Sequence, residues 1–181
     1  MTRRHLIKSV GYMGFMLMTG SVSFASLYGS RGLTEGAKWL NLYALNTGES
    51  LKTVFWVDGV YIDGALQEIN HILRDYRSGE VAPIDVKLLD LLYLITKLTG
   101  KDRIVVISGY RSPSTNAYLH RVKKGVAKDS YHTLGKAVDI RIEGVSLDTL
   151  RDLAVSLRAG GVGYYPRSGF VHLDTGAFRY W

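Results

Sequence analysis

A chain of 181 residues, 46% hydrophobic and 22% charged, has the composition of one folded domain with its own core, not of a disordered or low-complexity segment. The absence of cysteine excludes a disulfide framework, thiol catalysis and a lipid anchor attached through cysteine. The net charge of +7 is compatible with an anionic partner, but the bases are scattered, and charge alone gives no reason to predict nucleic-acid binding.

Residues 1–25 have the features of an export signal. The string TRRHLIK, with Arg3 and Arg4, resembles the twin-arginine consensus, and small residues precede a predicted cut after Ala25. The sequence therefore predicts export to the periplasm by the twin-arginine route, with no stable membrane span after cleavage. An uncleaved anchor is the alternative, since residues 9–30 carry no charge and are long enough to span a membrane.

Residues 26–38 are predicted to be a short lead, followed by a single domain over 39–181. Two apolar and aromatic runs flank a turn cluster at 46–49 and predict a β-hairpin. Next, apolar residues at helical spacing predict a helix over 63–78, which Asp63 could cap.

A second helix is predicted to open at Pro83 and Asp85 and to end at Gly100. The apolar run 104–107 predicts a buried strand, and 115–122 a short helix. Further on, 136–142 alternates as a strand does.

Ser146 is predicted to cap a helix that ends at Gly160 and Gly161. Residues 161–165 and 169–174 then predict two strands joined by a turn at 166–168. The mixed order of strands and helices predicts an α+β fold with a mainly antiparallel central sheet flanked by helices.

Three residues of the second half form a candidate metal site. Asp139 and His172 lie on predicted strands, and they would project to one side if those strands were neighbours. His132 lies on the loop before the first of these strands, where Gly135 would let the chain turn back. Two imidazoles and a carboxylate suit zinc with one open position. From the pattern alone, hydrogen-bonded histidines and an ion-paired aspartate remain an alternative.

Three stretches carry a family resemblance: SGYRSPSTN at 108–116, SYHTLGKAVDI at 130–140 and GFVHLDTG at 169–176. In this order they resemble the zinc D,D-peptidase family, which includes D-Ala-D-Ala carboxypeptidases and, as fold relatives, hedgehog domains. The similarity is greatest to periplasmic murein endopeptidases of this type and covers nearly the whole chain. It implies a hedgehog/D-Ala-D-Ala peptidase-like fold.

The resemblance implies that His132, Asp139 and His172 bind one zinc ion per chain. It further implies a zinc metallopeptidase that hydrolyses peptidoglycan cross-links, either D-Ala–diaminopimelate or diaminopimelate–diaminopimelate bonds. Peptidoglycan and its muropeptides would be the partners. Arg111 matches an arginine of the family's cleft, where a guanidinium can stabilise an oxyanion; pairing with an acid in a loop is the alternative.

The chain departs from the family at one position. Many members carry a general base two or three residues before the last histidine, where this chain has Gly169 and Phe170. Asp174 is the nearest ionisable residue, and it is predicted either to be the base or to orient a ligand histidine, the role we favour.

Tyr110 and Asn116 are predicted to shape the edge of the cleft and contact substrate. Tyr165 could hydrogen-bond a tetrahedral intermediate, or it could simply pack in the core. Two other readings of the whole chain stay open: a carboxypeptidase that trims stem peptides, and a zinc-containing module that binds the wall without cutting it.

Overall fold

The computed structural model describes residues 36–123 and 125–181. The predicted export signal at 1–25 lies outside the described residues, as does most of the predicted lead. The first strand begins at Ala37, inside the segment predicted as lead. Over the described ranges, no helix combines the length and the hydrophobicity that a membrane crossing requires.

Eight strands and four α-helices make up the described part of the chain. The strands are β1 (Ala37–Ala44), β2 (Ser50–Val57), β3 (Val60–Tyr61), β4 (Arg103–Ser108), β5 (Ala137–Ile142), β6 (Gly161–Tyr165), β7 (Phe170–Asp174) and β8 (Arg179–Tyr180). The helices are α1 (Asp63–Ile72), α2 (Val86–Thr99), α3 (Pro113–Val122) and α4 (Leu147–Leu157). A 3₁₀ turn at Tyr131–Leu134 precedes β5, and another at Pro166–Ser168 joins β6 to β7.

The strands form one sheet in the order β3-β2-β1-β4-β5-β7-β6-β8. The pairings β1–β4 and β6–β8 are parallel, and the other five are antiparallel. This confirms the predicted α+β class and the mainly antiparallel sheet.

The two faces of the sheet differ in chemistry. On β5, Val138, Ile140 and Ile142 are buried in the hydrophobic core with residues of α1, α2 and α4. Each such fully buried aliphatic side chain contributes about 1.5–3 kcal/mol to folding. Because successive side chains point to opposite faces, Asp139 and Arg141 lie on the face away from these helices. That open face carries the functional site.

Helix α1 departs from its prediction at both ends. Asp63 is its first residue and not its cap, a position where a carboxylate interacts favourably with the helix dipole. The helix ends at Ile72, not at residue 78. Beyond it, the Asp75 carboxylate accepts a hydrogen bond from the backbone NH of Arg77, at 3.0 Å, and this local bond competes with further helix.

The other helix ends follow the sequence more closely. The side chains of Asp85 and Ser146 cap α2 and α4 as predicted, and Gly100 ends α2 with a left-handed φ of 65°. Helix α3 begins at Pro113, two residues before the predicted start. Ser112 caps it, and proline suits the first turn because its missing NH would have no partner there.

Candidate metal centre

Two of the predicted ligands meet on adjacent strands. Asp139 of β5 and His172 of β7 are directly opposite each other in the antiparallel register. Their side chains therefore project from the same face of the sheet. The Oδ1 atom of Asp139 lies 2.8 Å from Nδ1 of His172.

The third residue, His132, reaches this face from the 3₁₀ turn before β5. The side chain of Ser130 caps the turn, and Gly135 ends it with a left-handed φ of 65°. A Cβ at Gly135 would lie 2.1 Å from the carbonyl oxygen of Pro83, so that only glycine fits this close approach. Nδ1 of His132 lies 2.7 Å from the carbonyl oxygen of Gly109, which anchors the ring.

The three side chains converge in a small buried cluster. Nε2 of His132 lies 3.2 Å from both Oδ1 of Asp139 and Nδ1 of His172. All three candidate ligand atoms lie within 4.8 Å of one another. His132 and Asp139 are buried, and His172 is 9% exposed, so the cluster opens to solvent beside His172.

Hydrogen bonds around the cluster determine which nitrogen of each ring faces inward. The Gly109 carbonyl can only accept, so Nδ1 of His132 donates to it and Nε2 keeps its lone pair. Nε2 of His172 faces Oδ2 of Asp174 at 3.1 Å, so a neutral ring that donates to Asp174 would turn the lone pair of Nδ1 into the cluster. Two such lone pairs and a carboxylate oxygen repel one another at this separation, and a cation bound between them would remove that repulsion. The donor set therefore fits a metal ion.

The protonation states of Asp139 and His132 agree with this fit, whereas His172 would have to release a proton to bind a metal. Burial raises the pKa of Asp139, but the neighbouring imidazoles His132 and His172 lower it more and hold it well below its usual range. Burial lowers the pKa of His132, which favours its neutral form. Burial also acts to lower the pKa of His172, but hydrogen bonds with Asp139 and Asp174 outweigh it and raise that pKa. An ionised carboxylate and a neutral imidazole are the forms in which these groups bind metals.

Asp174 is fully buried behind His172 and is held from several sides. Besides His172, its oxygens accept bonds from Arg179, at 2.7 and 3.1 Å, and from the backbone NH groups of Gly161 and Gly176, at 3.1 and 2.8 Å. Burial raises its pKa, but the bonds from His172, Arg179 and Gly176 lower it well below its ordinary range. This environment suits a group that orients His172 more than one that exchanges protons with a substrate.

Arg111 lies at the edge of the cluster. Its Nη2 donates to Oδ2 of Asp139 at 2.7 Å and lies 3.2 Å from Nε2 of His132, while its Nε donates to Oγ of Ser108 at 3.0 Å. Arg111 therefore lies in the cleft, and the acid with which it pairs is the candidate ligand Asp139.

The structure separates the three residues predicted to contact substrate. Tyr165 lines the cleft, and its hydroxyl accepts a hydrogen bond from the indole NH of Trp181 at 2.8 Å. Tyr110 is in the hydrophobic core and not in the cleft lining, because its backbone NH is tied to the carbonyl of Leu73 at the end of α1. Asn116 is also buried outside that lining, and its amide donates to the carbonyls of two loop residues, 127 and 128. It therefore shapes the edge of the cleft from behind.

Three residues near the site were not predicted. Asp75 accepts from both the backbone NH and the hydroxyl of Ser112, at 2.9 and 2.8 Å, and so fixes the loop that carries Arg111. Arg179 holds Asp174, and the ring of Trp181 lies 5.5 Å from that of His172. No local sequence pattern marks Asp75, Arg179 or Trp181, because their contacts with the site are made between segments distant in the chain.

A cleft of about 620 Å³ opens over the cluster. Strand order gives it two ends, because β4 and β6 lie on opposite sides of the paired β5 and β7. Arg77, whose segment is tied through Asp75 to the loop after β4, and Lys123 line the cleft together with Asp129; we call the two bases the basic end. On the β6 side, Tyr165, Phe170 and Trp181 form the aromatic end, where the rings of Tyr165 and Phe170 stack at 4.8 Å.

The candidate site lies within a stretch of the chain that matches known proteins. Residues 33–181 match the family model described as peptidoglycan L,D-endopeptidase MepK. The chain is 51% identical over 149 residues to peptidoglycan L,D-endopeptidase MepK of Escherichia coli strain K12, which is 82% of each protein. It is 45% identical over 150 residues to the probable peptidoglycan L,D-endopeptidase MepK of Haemophilus influenzae, covering 82% of this chain and 81% of that protein. No solved structure matches. With its family model matched along the whole domain, the chain belongs to the MepK family of peptidases.

Proposed function

We propose that this protein hydrolyses peptide cross-links of peptidoglycan in the periplasm, with a preference for diaminopimelate–diaminopimelate bonds. The observation that carries the proposal is the buried cluster of His132, Asp139 and His172 at the floor of an open cleft. The relatives' names supply the substrate class and the L,D designation. An L,D bond joins the carbonyl of an L-centre to the amine of a D-centre, which fits a diaminopimelate–diaminopimelate link and not the D,D link of D-Ala–diaminopimelate.

Zinc is the metal that we propose for the cluster, with one ion per chain. His132 would bind through Nε2, His172 through Nδ1 and Asp139 through a carboxylate oxygen, since these are the atoms that face one another. When bound, zinc supplies Lewis-acid catalysis, polarising a carbonyl and activating water.

The surrounding residues would position the ligands and the substrate. Asp174 holds the His172 ring in the tautomer that directs Nδ1 inward. Arg111 is close enough to the ligand atoms for its guanidinium to stabilise negative charge as it develops on the attacked carbonyl oxygen.

The function is tested by digestion of purified muropeptide dimers of each cross-link type. The metal-loaded protein should release monomers from the diaminopimelate–diaminopimelate dimer, and a chelator should stop the reaction until zinc is added back. Shortening of stem peptides without cleavage of dimers would identify a carboxypeptidase instead. Binding of wall material with no new amino groups at any zinc concentration would identify a non-catalytic module.

Asp174→Asn tests the positioning role. Because the variant keeps the shape of the side chain but loses its charge, we expect metal affinity to fall about 10–100-fold, and excess zinc to restore much of the rate. Zinc affinity is measured by competition with a chromophoric chelator. Asp152→Asn is the matched control, since Asp152 is exposed and, within the described part of the chain, pairs only with Arg151 on α4. Full zinc affinity combined with no activity at any zinc concentration would show that Asp174 is the general base.

For export, we propose the twin-arginine route with cleavage after Ala25, on the strength of the TRRHLIK string. Replacing Arg3 and Arg4 together with lysine in a reporter fusion should block export. Undiminished export of that fusion would favour the general secretory route.

A further inference from the structure

The basic end of the cleft contains an arginine that the proposed chemistry does not use. Three arginines line the cleft: Arg77, Arg111 and Arg179. Arg111 pairs with Asp139 and Arg179 with Asp174, each at 2.7 Å. Within residues 36–123 and 125–181, no acid forms an ion pair with Arg77, whose side chain is exposed.

Arg77 is nevertheless held in a defined place. Its guanidinium lies over the ring of Tyr76, with 4.2 Å between the central carbon and the ring centroid. Its backbone NH donates to Oδ1 of Asp75 at 3.0 Å, while Oδ2 of the same carboxylate holds Ser112, the residue after Arg111. One buried anchor therefore fixes the backbone of both the segment that carries Arg77 and the loop that carries Arg111.

A guanidinium in this position suits a carboxylate ligand. Its planar fork can donate two parallel hydrogen bonds to a carboxylate, and stacking on an aromatic ring reduces the entropy lost on binding. Lys123 lines the same end but offers only a point charge on a flexible stem. Diaminopimelate, a diamino dicarboxylic acid, keeps a free carboxylate beside the cross-link in both link types.

We propose that Arg77 binds a free diaminopimelate carboxylate of the cross-linked substrate and is a specificity-determining residue of this enzyme. The inference rests on the proposed function, because it takes its ligand from that substrate. This contact would also orient the substrate. The diaminopimelate carboxylate would lie on the β4 side of the ligand cluster, and the rest of the bound peptide would extend toward the aromatic end.

The test compares muropeptide dimers whose diaminopimelate carboxylates are free with the same dimers amidated. Loss of a charge-assisted bidentate contact costs about 10-fold or more in affinity. Amidation should therefore raise KM of the wild-type enzyme at least about 10-fold. Arg77→Gln should raise KM similarly for the free dimer and under about 2-fold for the amidated one, with kcat and zinc content unchanged. For the free dimer, KM of Arg77→Lys should lie between the values for the wild-type enzyme and for Arg77→Gln.

Arg158→Gln is the matched control, because Arg158 is an exposed arginine that stacks on Phe178, also at 4.2 Å, and does not line the cleft. The inference would be overturned if Arg77→Gln raised KM equally for the free and the amidated dimer. It would also be overturned if amidation left KM of the wild-type enzyme unchanged. Because Arg77 is exposed, Arg77→Gln is expected to fold, and Arg77→Lys gives the same comparison of dimers in a second variant. Failure of the wild-type enzyme to cut either dimer would instead refute the proposed function.

Discussion

Alanine in place of His132 is expected to leave the protein folded but to remove most of its zinc and essentially all of its peptidase activity. Residues that hydrogen-bond to a metal ligand typically contribute about 10–100-fold to metal affinity. Removal of a ligand itself should therefore lower zinc affinity by more than about 100-fold. Asp139→Asn should have a similar effect while still accepting the hydrogen bond of Arg111. Metal analysis after gel filtration measures the zinc, and dimer digestion measures the activity.

A second measurement does not depend on activity. A ligand that binds only the folded state raises the melting temperature, so added zinc should stabilise the wild-type protein and not the variants. His71→Ala is the control, because His71 is an exposed histidine of α1 outside the cluster. Full zinc content in both His132→Ala and Asp139→Asn would refute the ligand set.

Arg111→Ala should lower kcat by about 10²–10³-fold while KM for the cross-linked dimer changes little. The reason is that a donor aimed at the developing oxyanion acts mainly in the transition state, and its removal costs that much in known enzymes. Zinc should be retained, since Arg111 touches the ligands Asp139 and His132 without being one. Single-turnover rates at saturating zinc measure the effect directly.

Arg103→Ala is the control for this variant, because Arg103 forms an exposed ion pair with Glu143. Arg111→Lys should recover only part of the rate, since lysine cannot reproduce the contacts to Ser108 and Asp139 together. A rate near that of the wild-type protein in Arg111→Ala would assign Arg111 a structural role. If excess zinc fully restored the lost rate of Arg111→Ala, the role of Arg111 would be limited to retaining the metal.

Local patterns in the sequence were sufficient for most of the elements and for the face of the sheet that carries the site. Alternation on β5 and β7 places Asp139 and His172 on faces opposite the buried aliphatic residues, since side chains in a strand alternate. Capping by Asp85 and Ser146 depends on contacts two or three residues away, which is why it was predictable. The end of α1 was missed because the Asp75 carboxylate, which bonds the backbone NH of Arg77, is also held by Ser112, 37 residues further along the chain.

The sequence by itself therefore determined the fold class, the residue types of the candidate metal site and the strand faces on which Asp139 and His172 lie. Only the tertiary structure decided that Asp139 and His172 are direct partners, because a period of two specifies a face but neither the neighbouring strand nor the register. It also decided that Asp174 is enclosed by Arg179 and His172, that Tyr110 turns into the core, and that Arg77 lies in the cleft. These outcomes depend on packing between segments distant in the chain, which no local pattern encodes.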